Sequence, residues 1–176
     1  GWEVTTDVVL STFSFTKFLM WQDLVERMEM LKRNPVVRHL IDTPKESYGD
    51  GSGFPDPARM DRDHHPKDVF APLSADSSQL AAVLAAAGGK DFVLFGPPGT
   101  GKSQTIANMI SQCLALDKTV LFVSQKTAAL EVVQRRLNDI GIGDYCLEIH
   151  SAKSQKSAVL GQLKKAWHER SSDMAP

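Results

Sequence analysis

Phe18, Trp21, Leu24, Val25, Met28 and Leu31 recur at three- and four-residue intervals, which predicts an amphipathic helix over residues 16 to 33, stopped by the Asn34-Pro35 pair. Its aromatic and Met stripe reads as the packed face of a helix rather than a cofactor box. Ahead of it, Val4, Val8, Leu10, Phe13 and Phe15 in a Val-, Thr- and Phe-rich stretch predict a strand or two over residues 4 to 15. Further on, Leu80, Val83, Leu84 and Ala87 share a helical face that Gly88-Gly89 ends, and Asp91 to Phe95 reads as a short apolar strand. Ile106, Met109, Ile110, Cys113 and Leu114 mark a helix, and Thr119 to Val123 a strand. Leu130, Val133, Leu137 and Ile140 mark another helix, closed by Gly141. Tyr145 to Ile149 is a third strand, and Ser157 to Glu169 a last helix with a basic face. Strands alternating with helices imply a parallel sheet with right-handed crossovers, so an α/β fold is expected, with an N-terminal α/β extension.

From Thr43 to Lys67 the pattern breaks. Gly49, Gly51, Gly53, four prolines and many Asp residues leave too few apolar side chains to offset the entropy of ordering. The expected organisation is an N-terminal strand and helix segment (1–42), a Gly/Pro/Asp-rich linker (43–68) and a partial nucleotide-binding domain (69–176). His64 and His65 lack a third ligand at a supportive spacing and read as solvated loop residues. Against 20 basic side chains stand 21 acidic ones, so no global positive field points to a nucleic acid or an acidic membrane. Cys113 and Cys146, each in an apolar stretch, fit reduced thiols and a cytoplasmic setting. No apolar run approaches the roughly 20 residues of a membrane span, and no signal peptide opens the chain, so no membrane partner is expected.

The chemistry concentrates at Gly96-Pro97-Pro98-Gly99-Thr100-Gly101-Lys102-Ser103, a G-x-x-x-x-G-K-S phosphate-binding loop preceded by an apolar strand pattern and followed by an amphipathic helix pattern. A triphosphate is a dense anion, best held by backbone N–H groups converging at a helix start. Glycines permit that turn and the close approach. Lys102 supplies a cation for the β- and γ-phosphates, and Ser103 is the expected Mg²⁺ ligand. A lysine at a helix start opposes the macrodipole, a conflict that a bound anion removes. A nucleoside triphosphate and Mg²⁺ are therefore the expected ligands, with residues 96 to 104, Gln104 included, as the binding run.

With the flanking Pro72-Leu73-Ser74-Ala75-Asp76-Ser77-Ser78-Gln79 and Thr119-Val120-Leu121-Phe122-Val123-Ser124, this loop, continued by Gln104-Thr105, resembles superfamily 1 helicases. The resemblance is to large bacterial helicase-related proteins with an N-terminal domain of unknown function. Residues 69 to 152 resemble the first part of a RecA-like motor domain, so the resemblance implies an incomplete P-loop NTPase sheet flanked by helices. It implies that Gln79 reads the adenine edge, favouring ATP over GTP; a side-chain amide can donate to N7 and accept from N6 at once. It further implies contacts of Ser124 and Lys126, and of His150 and Ser151, with a single-stranded nucleic acid, DNA rather than RNA. A Ser-Gln-Lys-Thr helix cap would look much the same.

The departures shape the expectation as well. No apolar strand ending in Asp-Glu follows the third strand, and a second motor domain with its arginine finger is missing. The chain therefore reads as part of an ATP-dependent helicase, inactive alone and able to self-associate through an exposed edge. A GTPase or kinase is the weaker alternative: there is no Asn-Lys-x-Asp motif, and the Asp50 to Gly53 match lies upstream of the loop. The other alternative is an interaction module with vestigial nucleotide binding.

Overall fold

The computed structural model describes residues 3–6, 8, 15–49, 53–97, 99–149 and 156–173. The chain divides into two compact units, Gly1–Gly49 and Asp50–Pro176.

In the first unit, helix α1 (Phe15–Glu26) is followed after Arg27 by the short α2 (Met28–Leu31). The helix expected over 16 to 33 is thus present but interrupted, at a residue whose φ of −99° and ψ of 5° lie in the bridge region. Asn34-Pro35 ends that stretch and also begins the next. Asn34 Oδ1 accepts from the Val36 and Val37 N–H groups at 3.0 and 3.2 Å, and Pro35 takes the first position of α3 (Pro35–Asp42). Lys32 Nζ donates to Asp42 Oδ1 at 2.6 Å, and this hydrogen bond raises the lysine pKa. The stripe expected to be packed is not: Phe18, Trp21, Leu24 and Val25 are all exposed, although the Phe18 and Trp21 rings meet at 5.8 Å. Phe15 opens α1 instead of closing a strand, Val4 and Val8 are exposed and belong to no element, and Leu10 and Phe13 lie outside the described residues.

In the second unit the Gly/Pro/Asp-rich stretch carries a 3₁₀ turn (Pro57–Arg59), α4 (Met60–Asp63) and a second 3₁₀ turn (Pro66–Asp68). Asp56 and His65 cap these turns by accepting from the Ala58 and Lys67 N–H groups, and Met60 is buried. Helices α5 (Ser77–Ala87), α6 (Lys102–Ala115), α7 (Thr127–Asp139) and α8 (Lys156–Asp173) stand where the apolar spacing predicts them. Ala81, Ala82, Val83, Ala85 and Ala87 bury the small-residue face of α5, which packs on α6. On its other side α6 meets α7 around Ala107, Ile110, Val133 and Leu137, with Leu73, Phe122 and Ile142 packed against them. Positive φ ends these helices: Gly89 after α5 and Gly141 after α7, while Asp117 at φ 58° serves α6 without a glycine.

The expected α/β parallel sheet is overturned: no described residue lies in a β-strand. Asp91–Phe95, Thr119–Val123 and Cys146–Ile149 belong to no ladder, and Gly143–Tyr145 is a 3₁₀ turn. A strand requires a neighbour at about 4.8 Å whose N–H and C=O groups alternate in register, and apolar patterning alone does not bring that neighbour. Val93, Phe95 and Leu121, which a sheet would cover on one face, are 89%, 96% and 87% exposed, while Phe122 packs on the α6–α7 core. Some peptide groups that a ladder would satisfy are taken by side-chain amides instead. Gln162 on α8 accepts from Glu148 N–H at 2.8 Å and donates to Glu148 C=O at 3.3 Å.

Candidate functional site

The loop before α6 is shaped by its glycines. Gly99 and Gly101 adopt φ of 87° and 76°, in the left-handed region, and Gly101 is the residue that precedes α6. A Cβ on Gly96 would sit 2.8 Å from Thr100 Oγ1 and 3.1 Å from Lys102 Cγ, so any side chain there would push the Thr100 and Lys102 side chains from their places. Thr100 Oγ1 donates to Pro97 C=O at 2.9 Å. Lys102 folds back across the loop, its Nζ donating to Gly96 C=O and Pro97 C=O at 2.6 Å each. Ser103 and Gln104 follow in the first turn of α6 and are partly buried; Gln104 N–H donates to Gly101 C=O at 2.9 Å. Pro98 lies outside the described residues.

Gln79 joins this loop from α5. Its Oε1 accepts from Asp76 N–H at 3.1 Å while Asp76 Oδ1 accepts from Gln79 N–H at 2.8 Å, a reciprocal capping box. The other end of the same amide, Nε2, donates to Thr100 C=O at 3.0 Å. A Cβ on Gly101 would lie 2.8 Å from that nitrogen, so the two elements touch. The amide retains one N–H and one oxygen lone pair beyond these bonds.

Two residues of the site's framework escaped the sequence reading. Asn108 and Gln112, one turn apart on α6, are 0% and 1% exposed, and both bind the backbone of residues 68–73. They stand beside the buried Thr105 and Ser111, off the stripe of Ile106, Met109, Ile110, Cys113 and Leu114, so apolar spacing gave no signal for them. The pattern Asp76-x-x-Gln79, by contrast, spells the capping box.

Among the described residues, no hydrogen bond or ion pair joins Ser124 or Lys126 to the loop. Ser124 Oγ donates to Lys126 C=O and accepts from Lys126 N–H, both at 3.2 Å, a local turn ahead of α7 that leaves the exposed Lys126 at the helix entrance. His150 and Ser151 lie outside the described residues. An open cleft of about 1770 Å³ between α6 and α7 is lined by Phe122, Ser124, Leu130 and Leu147 among others, and by no residue of the Gly96–Ser103 loop. Burial raises the pKa of Cys146 on its wall, with Asp144 adding to the effect. Among the described residues no cluster of three His, Cys, Asp or Glu groups could hold a metal, and no helix is long and apolar enough to cross a membrane.

A glycine-shaped loop, a lysine drawn over it and a helix start immediately behind make up the geometry of the candidate site. The chain belongs to the AAA domain family, whose profile matches residues 74–172. The chain is 46% identical over 71 residues to an uncharacterized ATP-dependent helicase of Mycoplasma genitalium, covering 40% of this chain and 6% of that protein. It is 33% identical over 135 residues to the homolog of that helicase in Mycoplasma pneumoniae, covering 76% of this chain and 11% of the relative. A DNA replication ATP-dependent helicase/nuclease of Arabidopsis thaliana is 22% identical over 142 residues, 80% of this chain and 10% of that one. The chain thus spans about a tenth or less of the length of the curated relatives it matches. No solved structure matches it significantly. The helicase-like character read from the loop and its flanks agrees with these matches.

Proposed function

We propose that the chain is the ATP-binding portion of an ATP-dependent superfamily 1 helicase or nucleic-acid translocase. The observation that carries this reading is the loop itself. With Gly99 and Gly101 left-handed, the first-turn N–H groups of Gly101, Lys102 and Ser103 have no carbonyl four residues back within α6, and a phosphate chain suits them. Among the described residues the partners of Lys102 are neutral carbonyls, which an anion can replace with stronger charge-assisted bonds. In this reading Lys102 binds the β- and γ-phosphates, residues 96 to 101 and Gln104 shape the cradle, Ser103 holds Mg²⁺ and the spare hydrogen-bonding groups of Gln79 read adenine. The metal would neutralise phosphate charge when bound; the residues fit it only as far as one hydroxyl in the first turn of α6.

The names of the relatives support a nucleic-acid partner, DNA in one of them. Lys126 at the entrance of α7 is suited to a phosphate contact. Ser124 is already engaged in its own turn, so it contributes less than the resemblance implies. The pair of free thiols suits a cytoplasmic protein. The test is calorimetric titration with Mg-ATP, Mg-ADP and Mg-GTP, followed by fluorescence anisotropy with single-stranded DNA and RNA. Adenine nucleotides should bind more tightly than GTP. A folded chain that binds no nucleotide would leave the reading without its foundation.

A further inference from the structure

The buried amides of α6 hold a backbone rather than a side chain. Asn108 Nδ2 donates to Leu73 C=O at 2.9 Å, and its Oδ1 accepts from Leu73 N–H at 3.0 Å. One turn further, Gln112 Nε2 donates to Asp68 C=O at 2.9 Å, and its Oε1 accepts from Phe70 N–H at 2.6 Å. Each amide thus makes a two-pronged pair with the main chain, so residues 68–73 take a register set by α6. A slip of one residue would break both pairs at once and strand buried polar groups. Fully satisfied buried networks of this kind specify position as well as adding stability.

The gripped segment leads through Asp76 directly into the capping box, and Gln79 within that box donates to Thr100 C=O in the phosphate loop. Helix α6 therefore reaches Gln79 by two routes. Its first residues follow the loop that Gln79 touches, and its middle fixes the strap from which Gln79 is presented. We infer that Asn108 and Gln112 are positioning residues that hold Gln79 over the phosphate loop and so set nucleobase selection. The inference rests on reading Gln79 as the base-recognising group of the proposed ATP site.

The test is calorimetry on the whole chain with Mg-ATP, Mg-GTP and inorganic tripolyphosphate, comparing the parent with Gln79→Ala, Asn108→Leu and Gln112→Met. Tripolyphosphate samples the loop without a base. In the amide variants its affinity should stay within about twofold of the parent, while the ATP-to-GTP ratio falls by roughly fivefold or more, the scale of one lost hydrogen bond. Adding Gln79→Ala to Gln112→Met should lower that ratio no further, as expected for residues acting through one group. Should Gln112→Met fail to fold, Phe70→Pro removes the N–H that Gln112 accepts while leaving α6 intact. Val69 before it is extended, with φ −111° and ψ 108°, close to what a following proline requires. If ATP, GTP and tripolyphosphate all weaken in proportion, the amides serve packing alone and the inference is overturned. If the parent does not prefer ATP, or Gln79→Ala leaves its preference unchanged, the base-reading itself is refuted and the inference goes with it. That failure shows before either amide is touched.

Discussion

Lys102→Ala tests the phosphate loop where its chemistry is concentrated. In the ligand-free loop the ammonium is exposed and satisfied by two carbonyls at 2.6 Å, and it stands at the first position of α6. That placement opposes the helix macrodipole by about 0.3–1 kcal/mol. Alanine relieves this opposition and forfeits the carbonyl bonds, so the stability of the ligand-free chain should change by less than about 1 kcal/mol. With a triphosphate bound the comparison differs. The wild-type lysine gains charge-assisted bonds worth about 1.5–3 kcal/mol, and the alanine variant gains nothing in their place. Because the wild-type side chain must first leave its carbonyls, and solvent screens an exposed charge, the lower half of that range applies. The expected loss in Mg-ATP affinity is about ten- to fortyfold. Calorimetric titration at physiological salt measures it, with thermal melting of the free chain as the control. Affinity unchanged within twofold in a folded variant would refute the reasoning, because Lys102 would then not touch the phosphates.

Gly101→Ala forces a non-glycine residue to φ 76° and drives a Cβ to 2.8 Å from Gln79 Nε2, so it should cost about 1–3 kcal/mol in urea unfolding and weaken nucleotide binding. An unshifted unfolding midpoint would mean that the loop is not held in this form. Leu137→Ala, at a site 3% exposed between α6 and α7, should destabilise the second unit by about 2–5 kcal/mol, measured by the loss of helical circular dichroism in urea. A loss below about 1 kcal/mol would show that the α6–α7 contact is loose. Burial raises the Cys146 pKa, so the folded state holds the thiol proton more firmly than the unfolded chain does. That contribution to stability is present below the ordinary thiol range and lost as pH rises through the elevated value. Iodoacetamide should modify native Cys146 with a pH midpoint above that of the urea-unfolded chain, and coincident midpoints would contradict the assignment.

The glycine turn ahead of α6 was legible because its geometry is local. Glycines, a lysine and a serine at fixed intervals create a turn, and the turn needs nothing distant to form. The helices α5, α6 and α7 were legible for a related reason, since apolar side chains at three- and four-residue spacing define a face whatever covers it. Even the double role of Asn34-Pro35, as a stop for α2 and a start for α3, follows from local cap chemistry once both neighbours are considered.

What the sequence by itself determined, then, is the set of locally encoded parts: helices α5 to α8, the glycine turn ahead of α6 and the capping pattern Asp76-x-x-Gln79. Only the tertiary structure decided how backbone groups far apart in the chain are satisfied. The apolar runs at 91–95, 119–123 and 145–149 have strand composition, but a ladder depends on a second backbone arriving in register, and none does among the described residues. The same limit hid the grip of Asn108 on Leu73 and of Gln112 on Phe70, pairs separated by 35 and 42 residues. Hydrogen bonds within a helix turn are written in neighbouring residues, whereas bonds across tens of residues depend on how the intervening chain folds back.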